Sequence, residues 1–299
     1  MHYTGTIWRP PYEASSLLLE VTAGCTHHQC KFCTLYHDLP FKFRMTPLED
    51  IEADLKEVKS LLGAESHVTV SRTFLTGANP FALNTTRLLK IADLIRQHFP
   101  GNKTIGCFSR ITDITTKTDE DLKQLKHAGY NDLTIGMETG DDQALAFMHK
   151  GYTAKDIITQ CRRLDAADIH YTFFYLTGIS GAGQGKTGAK RTAEICNQLH
   201  PQRIGANMLT IYPNSQLYQE IQKKTWKEES EIEKYEELKV LVEHLQIPVY
   251  FGALGASNAI PIQGVLPEDK EKILTVLDQI ISSVSEQRLR IYRTTLRHL

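Results

Sequence analysis

The sequence predicts an α/β fold: a partial (β/α)6 TIM-like barrel over residues 1–225, with an α/β extension over residues 226–299 packed on it. Two observations carry this. Short apolar runs alternate six times with amphipathic helical patterns, the grammar of a parallel sheet with right-handed crossovers. The residues that break this grammar (cysteines, glycine turns, isolated charges) follow the C-terminal ends of the apolar runs. Open sheets and barrels both carry their active sites at that edge. An open doubly wound sheet would show the same alternation, but a small centre fed by many successive strands suits the curved barrel better.

Residues 1–15 contain Pro10-Pro11 and read as an irregular lead-in. The first strand is the apolar run at 17–21, and the loop after it carries Cys25, Cys30 and Cys33. Thr46-Pro47-Leu48-Glu49 signals a helix start, with Thr46 as N-cap, Pro47 at the first helical position and Glu49 closing a capping box. Leu48, Ile51, Leu55, Val58 and Leu62 recur on one helical face, and Gly63 ends the helix. The second strand runs from Val68 to Leu75 and ends in Thr76-Gly77-Ala78-Asn79-Pro80, with a helix over 85–98. The third strand, 103–108, is followed by Ser109-Arg110 and a helix opened by Thr118-Asp119-Glu120-Asp121. The fourth, 132–137, ends in Glu138-Thr139-Gly140 before helices at 141–149 and 154–167. The fifth, 170–176, ends in a glycine-rich loop reaching Gly183, with a helix over 187–199. The sixth, 203–211, ends in Tyr212-Pro213-Asn214-Ser215. Past Gln216 the pattern changes to a charged helix at 228–245, a strand at 247–252, a loop at 255–258, an apolar stretch at 259–265 and one long helix opened by Pro267. No Gly/Ser linker and no short-period repeat marks a boundary.

Hydrophobic residues make up 41% and charged residues 23% of the chain, an ordinary globular composition. The formal net charge of −1 provides no global field toward nucleic acid or an acidic membrane. The first residues do not read as a signal peptide, and no apolar run approaches the ~20 residues of a membrane-spanning helix. Six cysteines, three clustered and three scattered, do not resemble a secreted disulfide framework, so a reducing, cytoplasmic setting is expected.

Cys25, Cys30 and Cys33 fall within nine residues in a C-x4-C-x2-C spacing. Three thiols on one loop suit one metal centre better than disulfides. Structural zinc with His27 or His28 is one reading, but no second knuckle exists and the histidines sit inside the first cysteine interval. A two-iron ferredoxin uses this spacing and needs a fourth cysteine; the next, Cys107, lies on another strand. The remaining reading is a four-iron cluster with three thiolate ligands and one open iron, available to chelate a substrate or cofactor.

These motifs resemble the radical S-adenosylmethionine (radical SAM) enzymes, most of all the branch of oxygen-independent coproporphyrinogen oxidases, methylthiotransferases and elongator-type acetyltransferases. The resemblance covers residues 16–225. Phe32 fills the aromatic place before the third cysteine. Thr76-Gly77-Ala78-Asn79-Pro80 resembles the Gly-Gly-Glu-Pro segment whose backbone meets the methionyl amine. Gly136-Met137-Glu138-Thr139-Gly140 with Met148-His149-Lys150-Gly151 resembles the branch's fourth-strand signature. Gly178-Ile179-Ser180-Gly181 resembles the glycine motif near the adenine, and Leu209 to Tyr218 the sixth-strand ending. Two departures stand out. The first cysteine interval holds one residue more than the family's C-x3-C-x2-C, and Ala78-Asn79 replaces Gly-Glu, so backbone carbonyls or the Asn79 amide take over from the missing carboxylate.

The resemblance implies a [4Fe-4S] cluster on Cys25, Cys30 and Cys33, and SAM contacts from Phe32, Gly77, Ala78, Asn79, Arg110, Glu138, Gly178, Ile179 and Asn207. It implies reductive cleavage of SAM and abstraction of a hydrogen atom from substrate. No catalytic residue is named beyond these. Glu138 has a helix N-cap interaction as its alternative, and Arg110 a surface salt bridge. His27, His28, Tyr36 and His37 read as loop packing, with substrate gating as the alternative. Cys107, Cys161 and Cys196 alternate with core residues and read as small hydrophobes, so no second cluster is expected. Gly181 to Thr187 lacks the full phosphate-loop spacing. Arg288, Arg290, Arg293 and Arg297 read as a solvated helix rather than an RNA contact. A small-molecule or porphyrin-like substrate is favoured over tRNA, with an electron donor such as flavodoxin or ferredoxin. The competing class is a non-catalytic metal-binding or electron-carrier protein built on the same cysteines.

Overall fold

The computed structural model describes residues 1–63 and 69–296. Strand β1 (Leu17–Glu20) leads into β2 (Thr22–Gly24), which pairs antiparallel with β3 (Phe43–Met45). This hairpin brackets the cysteine loop. Its three-residue strands are too short to leave a periodic signal in sequence. Helix α1 (Leu48–Leu62) begins after Pro47, which occupies the N-cap position with no side-chain cap, so the capping box expected from Thr46 and Glu49 does not form. Gly63, at φ 73°, ends it as expected. Strand β4 (Arg72–Thr76) starts later than the apolar pattern suggests: Val70 lies outside it, and Val68 lies outside the described residues.

Helix α2 (Thr85–His98) is capped by the Asn84 side chain, which accepts from Arg87 N. After β5 (Thr104–Ser109) come a short α3 (Ile111–Thr115) and α4 (Asp119–His127), the latter held by a Thr118–Asp121 capping box. There follow β6 (Tyr130–Glu138), α5 (Asp142–Phe147), α6 (Ala154–Ala166), β7 (Tyr171–Thr177), α7 (Gly185–Cys196) and β8 (Arg203–Met208). Strand β8 stops at Met208 rather than Ile211. A helix absent from the sequence pattern, α8 (Gln216–Gln222), follows, capped by Ser215. The C-terminal segment holds α9 (Glu231–His244), β9 (Val249–Ala253), β10 (Ile262–Leu266), α10 (Lys270–Ser283) and α11 (Glu286–Thr295). The single long helix expected after Pro267 is therefore two. Val284 is extended, and the Ser285 side chain caps the second by accepting from Arg288 N. No helix among the described residues is long and apolar enough to cross a membrane.

The chain forms two compact units, Met1–His28 with Leu35–Ile135 and Arg163–Tyr171, and Gln29–Thr34 with Gly136–Arg162 and Thr172–Leu299. In the first, β1, β4, β5 and the opening of β6 are parallel neighbours in that order. Leu19, Phe74, Leu75, Ile105, Leu133 and Ile135 are buried along them, with Ile51, Leu55, Leu88 and Ile91 from α1 and α2 buried as well. Such near-continuous burial is what a parallel strand covered on both faces shows. In the second unit β7, β8 and β9 run parallel, and β10 closes antiparallel on β9. Helix α9 packs on α7 and α10, burying Leu238 and Leu241 with Ala189, Ala193 and Leu277.

Cys107, Cys161 and Cys196 are wholly buried, as expected of small hydrophobes. Burial pushes the Cys107 thiol well up and Cys196 up to about 12, so neither is a thiolate. Of the C-terminal arginines Arg288 is exposed, as a solvated helix would have it, but Arg290 and Arg293 are engaged by the protein. The Arg293 guanidinium is buried and donates to Ser257 O at 2.8 Å, to Met208 O at 3.3 Å and to Leu209 O. The Met208 and Leu209 carbonyls lie at and just beyond the end of β8, where the ladder stops supplying partners, and the guanidinium fork fills the gap. Arg290 pairs with Glu228 at 3.0 Å and Glu231 at 3.1 Å. Arg297 lies outside the described residues.

In the first unit the lead-in is anchored by an ion pair. Glu13, wholly buried, accepts from Arg72 Nε at 2.9 Å and Nη2 at 2.5 Å. Removing one partner of a buried pair strands the other's charge. Arg72→Met is therefore expected to lower stability by about 3–5 kcal/mol, read from the urea midpoint. Arg72→Met with Glu13→Gln is expected to recover part of that loss, and equal midpoints for the two variants would refute the pairing argument.

Candidate functional site

In the first unit, the loop after β1 is closed at its base by hydrogen bonding to the strand that follows it. Gly24 sits at φ 79° against Lys42 O, where any Cβ would collide, and Cys25 N donates to Lys42 O at 2.8 Å. The turn after β4 lies alongside. Gly77, at φ 125°, leaves no room for a side chain against Thr22, and Ala78 N donates to Gly24 O at 3.4 Å. The Asn79 side chain completes the junction. Its Nδ2 donates to Thr26 Oγ1 at 2.6 Å and to both carboxylate oxygens of Asp113 at 3.1 Å, while Oδ1 accepts from Thr26 N at 3.3 Å. Asp113 also accepts from Arg110 N at 2.8 Å, and burial raises its pKa above the usual carboxylate range. Both N–H groups of Asn79 are thus directed at Thr26 and Asp113.

At Gln29 the loop passes into the second unit. Cys33 N donates to Cys30 O at 3.1 Å, making a tight turn about Lys31 and Phe32. Lys31 is gripped on both sides: its N donates to Met148 O at 3.2 Å, and its O accepts from Leu217 N at 2.8 Å. Its ammonium lies 3.0 Å from Glu220 and 4.0 Å from the centre of the Phe147 ring. Phe32 packs against a buried cluster of Met148, Ile179, Leu209 and Leu217. Glu138, at φ 62°, ends β6 and pairs with the buried Lys150 at 3.0 Å, and Lys150 Nζ also lies 5.7 Å from the centre of the Phe32 ring. Gly178 N, after β7, donates to Glu237 at 2.8 Å. Asn207 lies near the end of β8 with its side chain against Gly255.

The first unit therefore gathers Gly77, Ala78, Asn79 and Arg110 beside the start of the cysteine loop. The second gathers Phe32, Glu138 and Ile179, with Gly178 held from α9. Sequence reasoning passed over four participants. Lys150 stood inside the fourth-strand segment, but its partner was not legible there. Asp113, Glu220 and Glu237 belong to no motif, because each acts through tertiary contacts. His28 stacks on His37 with ring centroids 5.3 Å apart, and burial holds the His28 pKa below its usual value.

All six cysteines lie outside disulfides, and the three on the loop differ from the rest in being half-buried. Half-buried thiols on a tied-down loop suit an iron–sulfur cluster, which takes its thiolates on different irons. Among the described residues no group of three or more His, Cys, Asp or Glu is drawn in closely enough to hold a single metal ion. The buried hydroxyls of Thr22 and Thr76 have no hydrogen-bond partner among the described residues, so polar groups remain unused at the strand ends of the first unit.

The radical SAM superfamily profile matches residues 19–183. The chain is 23% identical over 198 residues to the heme chaperone HemW of Bacillus subtilis (strain 168), covering 66% of this chain and 51% of that protein. It is 24% identical over 193 residues to the tRNA-2-methylthio-N(6)-dimethylallyladenosine synthase of Syntrophus aciditrophicus (strain SB), covering 62% and 39%. The chain thus spans about half the length, or less, of these curated relatives. Among solved structures it resembles coproporphyrinogen III oxidase (HemN) from Escherichia coli, a radical SAM enzyme, with a TM-score of 0.55 and 17% identity over 76% of this chain and 51% of that one. That likeness shows the fold, the TIM-like α/β class expected from the sequence.

Asn79→Ala is expected to lower stability by about 1–3 kcal/mol, because it leaves the buried Asp113 carboxylate short of a donor. It should also speed protease cleavage within residues 26–29. Unchanged cleavage would show that the amide does not hold the loop.

Proposed function

The chain belongs to the radical SAM superfamily, and we propose that it is an enzyme that cleaves S-adenosylmethionine reductively and abstracts a hydrogen atom from a substrate. Superfamily members use a [4Fe-4S] cluster and SAM. The observation that carries the reading is the state of the loop cysteines: three half-buried thiols on a segment whose backbone is tied down at Cys25 and at Lys31. When bound, a three-thiolate cluster with SAM on its open iron supplies one-electron cleavage of a carbon–sulfur bond.

The chain's own residues hold and orient. Cys25, Cys30 and Cys33 are the ligands. The backbone groups of Gly77 and Ala78 face the methionyl end, with Asn79 and Arg110 fixing that turn. The Glu138–Lys150 pair offers both charges to a zwitterionic aminoacyl group, and Lys150 is held close to Phe32. Gly178 and Ile179 wall the adenosine, and Asn207 adds a polar contact from β8. The apolar packing of Phe32 on Met148, Ile179 and Leu217 excludes water from one side of the loop.

The substrate we favour is a small molecule rather than tRNA. The relatives include a heme chaperone and a tRNA-modifying synthase, so likeness alone does not choose. Support comes from the basic residues near the C-terminal end: Arg290 and Arg293 are taken up by carboxylates and carbonyls of the protein rather than presented to phosphates. A flavodoxin- or ferredoxin-type donor supplies the electron, and a reducing compartment such as the cytoplasm suits the thiols.

Anaerobic reconstitution with iron and sulfide is expected to give a brown protein with about four irons per chain. With reductant and SAM it should form 5′-deoxyadenosine, and Cys25→Ala, Cys30→Ala and Cys33→Ala should each reduce that product to background. A colourless protein retaining one zinc, or full product from any of the three variants, would contradict the reading.

A further inference from the structure

The loop after β7 is shaped by residues that lie beyond the family match, which ends at residue 183. Gly178, at φ 88°, has no room for a Cβ without pressing on the Lys234 stem, whose Cε would lie 3.1 Å away. Gly181, at φ 84°, faces the Trp226 indole at 2.8 Å in the same sense, and a side chain on Gly185 would collide with the Glu229 carboxyl group. Two glycines of the loop and the glycine that opens α7 thus lie against one short C-terminal segment. The backbone is tied to the same segment. Ala182 N donates to Lys227 O at 2.9 Å, and Gly178 N donates to Glu237 Oε2 at 2.8 Å.

Glu237 is wholly buried on α9, and its other oxygen accepts from the Tyr175 hydroxyl of β7. It also shares a hydrogen bond with Glu229, itself almost wholly buried. Two carboxyl groups in such contact must hold a proton between them. Burial first, and then Glu237, pushes Glu229 up to about 10, and burial raises Glu237 as well, so the pair keeps a proton at neutral pH. Glu229 Oε2 has no hydrogen-bond partner among the described residues, which a neutral acid tolerates far better than a carboxylate. The neighbouring Lys234 is engaged elsewhere, 2.7 Å from Glu228 and 3.3 Å from Glu231.

We infer that Glu237, braced by the hydrogen bond from Glu229, is a positioning residue that fixes the Gly178 turn against which the adenosine part of SAM packs. The adenosine half of this statement rests on the radical SAM reading; the bracing of the turn does not. An N–H held in a left-handed glycine turn and away from water needs its acceptor, and only the C-terminal segment supplies one. Helix α9 is then a working part of the cofactor wall rather than an appended layer.

The arrangement carries a pH signature. A carboxyl whose pKa rises on folding binds its proton more tightly in the folded protein, so stability falls as pH climbs from the unfolded value toward the folded one. For Glu229 that window runs from 4.5 to about 10. The charged and titratable groups facing the pair are Tyr175 from β7 and Glu233 and Lys234 from α9. Glu229→Gln keeps a donor toward Glu237 and has nothing to titrate.

The test is hydrogen exchange on the intact protein, read on the peptide covering residues 177–183, together with binding of S-adenosylhomocysteine to the reconstituted protein. Glu237→Ala should speed exchange of the Gly178 amide about tenfold or more and weaken binding by a similar factor, the scale of one lost buried hydrogen bond. Glu229→Gln should keep wild-type exchange and flatten the fall of melting temperature between pH 7 and pH 10. If Glu237→Ala does not fold, Glu237→Met, which keeps the side-chain volume and carries no acceptor oxygen, gives the same readout. Unchanged exchange in the Glu237 variant, or an unchanged pH slope in Glu229→Gln, would overturn the brace. Faster exchange with no binding even by wild-type protein would leave the brace standing and overturn its assignment to adenosine.

Discussion

Parallel pairing is the constraint on which the rest depends. Residues 17–20 run in register beside residues 73–76, and residues 72–75 run in register beside residues 104–107, so the loops that follow start from one edge. A parallel ladder forces the chain to return through a helix each time, which leaves every strand's C-terminal end free to carry a turn. The turns then lock to one another through backbone. Gly77 meets Thr22, Ala78 N reaches Gly24 O, and Asn79 reaches both Thr26 and Asp113. None of these contacts is hydrophobic, and all depend on strands that place the two turns side by side.

The division of labour among the cysteines follows from the same geometry. Cys107, Cys161 and Cys196 are wholly buried, and burial holds Cys107 and Cys196 as thiols, whereas Cys25, Cys30 and Cys33 are only half-buried. Each end of the loop is tied within its own unit. Cys25 is fixed through the β2–β3 hairpin, and the Cys30 to Cys33 turn is gripped through Lys31 by Met148 and Leu217. Thiols that are half-buried rather than enclosed keep their sulfurs within reach of an incoming cluster.

The alternation of strands and helices was legible in the sequence because each element is long enough to show its period. Helix α2 appears over the predicted span, and β5, β6 and β7 within a few residues of theirs. What escaped notice was short or purely tertiary. The β2–β3 hairpin has three-residue strands, and α8 has seven residues. The break between α10 and α11 needs only two extended residues, Val284 and Ser285. Thr46 looked like a helix cap, yet Pro47 takes the cap position without any side-chain cap. Arg293 looked solvent-facing in a basic stretch and is instead buried on the carbonyls past β8, which no local pattern reveals. At the site, cysteines and glycine turns stood out by type and spacing. Asp113, Glu220 and Glu237 did not, because a carboxylate that braces a loop from a distant helix leaves no mark on the sequence around the loop.

In the function we propose, three thiolates would leave one iron of the cluster open to SAM. The direct measurement is electron–nuclear double resonance on the reduced, reconstituted protein with SAM labelled at the methionyl amine nitrogen and carboxylate oxygen. The account predicts hyperfine coupling from both labels to a [4Fe-4S]+ signal, absent when SAM is omitted. A cluster signal that does not change on adding labelled SAM, with no coupling from either label, would contradict it.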